Sequence, residues 1–307
     1  MARRSLLKHL QRQGQAASQQ ASVKQDPEFR MNLPLRNSRI KLPLGQVFWR
    51  EVGRGPLLVF LHGSWSDGSQ WLSVIDQLSQ EYHCFALDLL GFGESEQPKL
   101  HYSIQSEVEC LLQYIEALNL PQVYLIGHSL GGWIAASYAL KYPERVSGLV
   151  LMAPEGVQTD RYWGNWRKTQ WLIGRPPIAY ILLRSLYPLA RLIGRHKGIE
   201  KAVKWRQQLL SSSTACKLLF RRRRAEIQAE LLQDQLEYLE TPTLIFQGGK
   251  DNASAIASSQ TYAEKIPHAQ LLRFEQGGND LPEALPGLVA QHIHEFVQRV
   301  EGLKVEG

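Results

Sequence analysis

The feature that most restricts the fold is a recurring pair: a short apolar run ending near glycine, then a segment with helical spacing. "PLLVFLHG" (Pro56 to Gly63) is apolar on consecutive positions, as a strand covered on both faces must be. The same grammar returns in "HCFALDLLGFGES", "QVYLIGHS", "VSGLVLMAPEG", "TPTLIFQGGKD" and "AQLLRFEQGG". Between these runs, "QWLSVIDQLSQEY", "LGGWIAASYALKYPER", "SAIASSQTYAEKI" and "LPGLVAQHIHEFVQRV" place apolar residues three to four apart. "SIQSEVECLLQYIEALNL" adds a helix start at Ser103, with Glu107 in its first turn. Strand–helix alternation of this kind predicts an α/β fold, with a mostly parallel central sheet flanked by helices. "GQVFWREVG" alternates instead, as one strand of a hairpin does. The rhythm breaks between residues 158 and 236, which read as a helical, basic insertion. The core is then 39–157 and 237–307. Residues 1–38, rich in Gln, Ser and Ala near their start and without the apolar stretch of a secretory leader, read as a disordered basic tail.

Chemistry enters with "GHSLGG" (Gly127 to Gly132), a G-x-S-x-G sequence between a buried strand and a helix. A serine on so sharp a turn projects above the sheet at a helix N-terminus, where main-chain donors and the helix dipole favour a developing negative charge. "LHGSWSDGSQW" follows the earlier buried strand and "DLLGFGES" the next. With these three turns in order, the chain resembles the α/β-hydrolase fold superfamily from about Gly45 to its C-terminus, the insertion standing where that family places its cap. The resemblance implies a serine nucleophile at Ser129 and an oxyanion hole from the N–H groups of Leu130 and Ser64. It implies a structural role for His62 and a packing role for His128. The acid matches Asp251 in "FQGGKDNAS", with Glu155 in "APEG" as a second candidate, because some relatives place the acid after that earlier strand. A serine nucleophile disfavours the carboxylate-nucleophile members of the family.

The resemblance then departs. The family's base is a histidine in a late loop, and "GNDLPEALP" puts Asn279 in its place. An asparagine amide does not titrate near neutral pH and cannot take the serine proton. His292 and His294 lie well along the final helix, and His268 is at the wrong end of the last strand. His196, His62 and the Asp280 carboxylate remain as substitutes. Two readings follow: a serine-hydrolase-like enzyme acting on an ester, thioester or amide with an apolar portion, or a non-catalytic ligand-binding or membrane-associated protein that kept the pocket.

Charge is distributed unevenly. Arg161 to Arg224 holds sixteen Lys/Arg and one acidic residue, which leaves 19 basic and 28 acidic residues elsewhere in the 307-residue chain. The same segment carries Trp163, Trp166, Trp171 and Trp205. Such a cap either complements the anionic body and lines a ligand pocket or meets an anionic membrane. No nucleic-acid motif accompanies the charge. No apolar run approaches the ~18 residues of a membrane span. Three widely spaced cysteines suggest a reducing, cytoplasmic setting, with membrane association open. No residue grouping calls for a metal or cofactor.

Overall fold

The computed structural model describes residues 33–306 apart from Arg161, Arg175 and Arg195; the tail expected over residues 1–32 lies outside the described residues. Eight strands form one sheet: β1 (Arg36–Lys41), β2 (Gln46–Val52), β3 (Leu57–Leu61), β4 (His83–Asp88), β5 (Val123–His128), β6 (Val146–Met152), β7 (Thr243–Gly248) and β8 (Gln270–Phe274). Their order is β1-β2-β4-β3-β5-β6-β7-β8. Antiparallel pairing is confined to β1–β2 and β2–β4, and every pair from β4 onward is parallel. All residues of β5, β6 and β7 are buried, which accounts for their mostly apolar character.

Helices α1 (Leu72–Leu78), α2 (Ile104–Ala117), α3 (Leu130–Lys141), α9 (Ala253–Lys265), α10 (Leu281–Ala284) and α11 (Pro286–Glu306) flank this sheet. α2 packs on α3, which covers β3, β5 and β6, while α1 and α11 form another pair against β4 and β6. Ser103 caps α2 as expected, its hydroxyl accepting from the Ser106 N–H. Between β6 and β7 stand α4 (Tyr162–Ile173), α5 (Ile178–Leu192), α6 (Lys197–Ser211), α7 (Ser213–Leu219) and α8 (Arg224–Glu230).

One expected boundary is corrected. The sequence predicts a disordered tail through residue 38, but Arg36 to Ser38 belong to β1 and pair with Glu51, Arg50 and Trp49 of β2. The sequence RNSRIK has no apolar alternation because this strand is a largely exposed edge. Main-chain pairing and an Arg36–Glu51 ion pair at 2.8 Å hold it.

Candidate active site

The motif-bearing turns all leave the carboxyl ends of parallel strands, the edge where open α/β sheets bind ligands. Register explains their convergence: Leu61 of β3 lies opposite Gly127 of β5, and His128 lies opposite Met152 of β6. The turn at Ser129 is strained, with φ 53° and ψ −111°, outside the regions that side-chain-bearing residues favour. It is clamped on both sides. The Ser129 N–H donates to Met152 O (2.9 Å), and Ser129 O accepts from the N–H of Glu155 (3.1 Å) and Trp133 (3.2 Å).

The Ser129 hydroxyl donates to Glu155 Oε1 at 2.8 Å. Glu155 follows β6 on a loop whose carbonyl accepts from the buried Tyr262 hydroxyl at 2.7 Å. Part of its surface opens on the cavity, yet it sits deep among protein atoms. That depth governs its charge: burial raises its pKa above the usual glutamate range, and the Ser129 bond only partly opposes this. Of the two acids weighed from sequence, Glu155 is therefore the one in contact with the serine.

Asp251 lies elsewhere. Its Oδ2 accepts from the Asn279 side-chain amide at 3.1 Å, and its Oδ1 accepts from the Asn252 main chain at 2.6 Å. Asn279 thus makes to Asp251 the bond that the family's histidine is expected to make to its acid.

Ser129, Glu155 and Asn279 share a cavity of about 290 Å³ with Trp65, Trp166, Trp205 and Phe220. Aromatic rings line one part of the wall, most of them from the insertion; Trp65 of the core meets Trp205 edge-on at 6.1 Å between ring centres. Among the described residues no histidine lines this cavity. His62 is wholly buried with both nitrogens engaged: Nδ1–H donates to Gly63 O (2.8 Å), and Nε2 accepts the Leu89 N–H (3.1 Å). Burial keeps it neutral, and it ties the turn after β3 to the turn after β4. His128 Nδ1 accepts from Gln70 Nε2 at 3.0 Å, and burial lowers its pKa to about 4 against weaker opposition from the Asn279 main chain. His196 packs edge-on against Tyr187 in the insertion. His292 pairs with Glu295, and His294 with the Tyr82 hydroxyl. Asp280 is exposed and is not part of the cavity wall.

Leu130 and Ser64 are buried beside the elbow. Leu130 is the first residue of α3, so its N–H has no partner within the helix. The Ser64 hydroxyl is buried without a partner.

Gln70 was not singled out from sequence. Its Oε1 accepts the Gly63 N–H (3.1 Å), and its Nε2 reaches both His128 and Glu283 Oε1 (2.9 Å). One buried amide therefore braces the turn after β3, the elbow and the loop carrying Asn279. The signal available was its place immediately after "DGS" in the first motif, which says nothing about reach.

Comparison with known proteins agrees with this architecture. The family described as alpha/beta hydrolase fold matches residues 56–172, which include all three turns. An uncharacterized hydrolase of Bacillus subtilis, YugF, is 26% identical over 257 residues, covering 78% of this chain and 89% of its own. A 1-acylglycerol-3-phosphate O-acyltransferase, ABHD5 of Mus musculus, is 41% identical over 114 residues, 36% of this chain and 32% of that protein. The chain spans less than half the length of several curated relatives it matches, 44% in uncharacterized mycobacterial proteins. A solved membrane phospholipase A superposes with a TM-score of 0.66 at 24% identity, covering 87% of each chain. By sheet order, by the turns at its carboxyl edge and by these matches, the chain has the α/β-hydrolase fold.

Proposed function

We propose that the protein is a serine acyl hydrolase, cleaving an ester, thioester or amide with an apolar portion, in which the Glu155 carboxylate stands in for the missing imidazole. The observation that carries this reading is the 2.8 Å bond from Ser129 Oγ to Glu155 Oε1. Ser129 Oγ attacks the carbonyl carbon while its proton passes to Glu155. The carbonyl π pair moves to oxygen, held by the main-chain N–H groups of Leu130 and Ser64. Collapse expels the alcohol, thiol or amine, which takes the proton back from Glu155 and leaves an acyl-serine. Water then adds by the same route and frees the acid and the serine hydroxyl.

A raised pKa suits the task, since a carboxylate whose affinity for protons lies nearer neutrality is a stronger base. Glu155 must be ionised to act, so turnover rises with pH through a value above the ordinary glutamate range. The aromatic cavity supports an apolar acyl portion. The name of the mouse relative, an acyltransferase, is consistent with acyl chemistry on this scaffold. Asp251 and Asn279 serve in this scheme as a rigid brace beside the site.

A second reading, a non-catalytic ligand-binding protein, is favoured by that same brace: an amide fills the histidine's place and is locked to the acid. A fluorophosphonate probe separates the two. On the first reading the unmodified protein is labelled at Ser129, Ser129→Ala is not, and Glu155→Gln is labelled about 10²–10³-fold more slowly. On the second the unmodified protein stays inert, and Asn279→His alone gains several decades in labelling and ester turnover.

A further inference from the structure

Helix α5 carries an apolar face that nothing in the described chain covers. Ile178, Ile181, Leu182, Leu189, Leu192 and the following Ile193 recur at three- and four-residue steps, so they share one side of the helix. They are 63, 59, 49, 59, 84 and 62% exposed, on a helix seated on its other side through its N-terminal half. There Ala179 is buried and Leu183 packs on Leu172, Ile173, Leu209 and Cys216. The helix is therefore anchored by Ala179 and Leu183 while this face stays open. A fixed surface presents these side chains outward.

The surroundings of this face are cationic. Arg184, Arg191 and Lys197 are exposed, and among the described residues none of them forms a salt bridge with the anionic body. Arg222, by contrast, is buried and paired with Glu230 at 2.5 Å. The excess of basic residues over Arg161 to Arg224 is thus turned largely toward solvent rather than spent inside the protein. Such charge opposes docking of a second identical copy, which would bring two basic rims together. It favours an anionic partner that also accepts aliphatic side chains.

We propose that this face of α5 lies in the interface of an anionic lipid bilayer, the helix parallel to the membrane plane and the basic residues among the headgroups. The geometry is that of a surface-lying helix: a continuous apolar stripe, a basic flank, and 15 residues that rise about 22 Å along the plane. Among the described residues no helix is long and apolar enough to cross a membrane, so contact is from one side.

The test uses the full chain and sedimentation with vesicles of phosphatidylcholine alone or with added phosphatidylserine. Binding is expected to require phosphatidylserine and to weaken as salt screens the basic rim. The double variant Leu182→Glu, Leu189→Glu should lower the bound fraction at least about tenfold without altering the thermal melting of the protein alone, since both side chains project into solvent. Loss of binding with unchanged melting supports the assignment. Failure to bind at low salt overturns it. So does binding that survives the double variant, which would place the contact on another part of the chain. A lipid-free dimer dissolved by the same substitutions would assign the face to self-association instead.

Discussion

The turns around Ser129 and the helices that cover them obey opposite rules. At the elbow a dense set of hydrogen bonds fixes the turns, though the Ser64 hydroxyl is left over: His62 uses both ring nitrogens, Gln70 braces the elbow and its flanking loops, and Ser129 is held by its main chain and its hydroxyl. In α5 the reverse holds, with aliphatic side chains in solvent and basic groups that have no ionic partner among the described residues. The first region is built so that a strained backbone conformation has no alternative; the second presents a surface. Fixed geometry is what covalent chemistry needs, and an exposed apolar face is what an interface needs.

The largest expected effect tests the rigidity of the elbow. A methyl group on Gly131 would come within 2.3 Å of Leu61 O and 2.8 Å of His62 O, both main-chain atoms of β3 and its turn. Neither can give way without moving the strand that carries the proposed oxyanion donor. Gly131→Ala is therefore expected to destabilise the protein by about 3 kcal/mol or more, read as a fall in melting temperature of roughly 6–12 °C. A loss under 1 kcal/mol would mean that strand and elbow are less tightly joined than these distances require.

The core was legible because its signals are local. A strand buried on both faces must be apolar at every position, and a turn that brings Gly127 and Gly131 together leaves no room for larger residues, so both facts are written in consecutive letters. The place of Asn279 was readable for the same reason, since the surrounding Gly and Pro residues set its register. The Ser129–Glu155 contact was not. Glu155 was visible as a candidate acid, but whether its side chain turns toward a histidine or toward the serine depends on how the loops after β5 and β6 pack, which no spacing encodes. Gln70 escaped for a related reason: its partners lie 7, 58 and 213 positions away. The apolar face of α5 was present as a pattern in "IAYILLRSLYPLARLI", yet a pattern does not say which side of a helix is covered.

A smaller effect separates the two regions by pH. Glu107 in α2 is wholly buried, its Oε2 accepting only the Leu90 N–H at 3.3 Å, and burial pushes its pKa up to about 8. The folded chain therefore keeps a proton that the unfolded chain releases at ordinary carboxylate pH. Its contribution to stability is complete below the unfolded value and declines as pH rises from about 4.5 toward 8. Glu107→Gln removes that decline. Urea denaturation at pH 5 and pH 8 should show the unmodified protein losing on the order of a few kcal/mol more than the variant. Replacing exposed Lys and Arg between β6 and β7 should change the dependence on salt instead. Equal slopes in the unmodified protein and the Glu107 variant would show that this carboxyl ionises as freely in the fold as outside it.

The smallest effect asks how far the helices between β6 and β7 share the stability of the core. Gly164 lies in α4, and a methyl group there would meet nothing within 4 Å. Its backbone is helical, so Gly164→Ala adds helix propensity without a clash and should stabilise by up to ~1 kcal/mol. Where that gain appears depends on coupling. Tyr162, Trp163 and Trp166 of the same helix pack against the main hydrophobic core, and the Trp166 indole donates to Leu219 O at 2.9 Å. α4 should therefore melt with the sheet, raising the single transition by about 2–4 °C. A separate, earlier transition that alone responds to the substitution would show these helices to be an independently melting layer. The contrast between a rigid site and its presenting surface would then extend from geometry to thermodynamics.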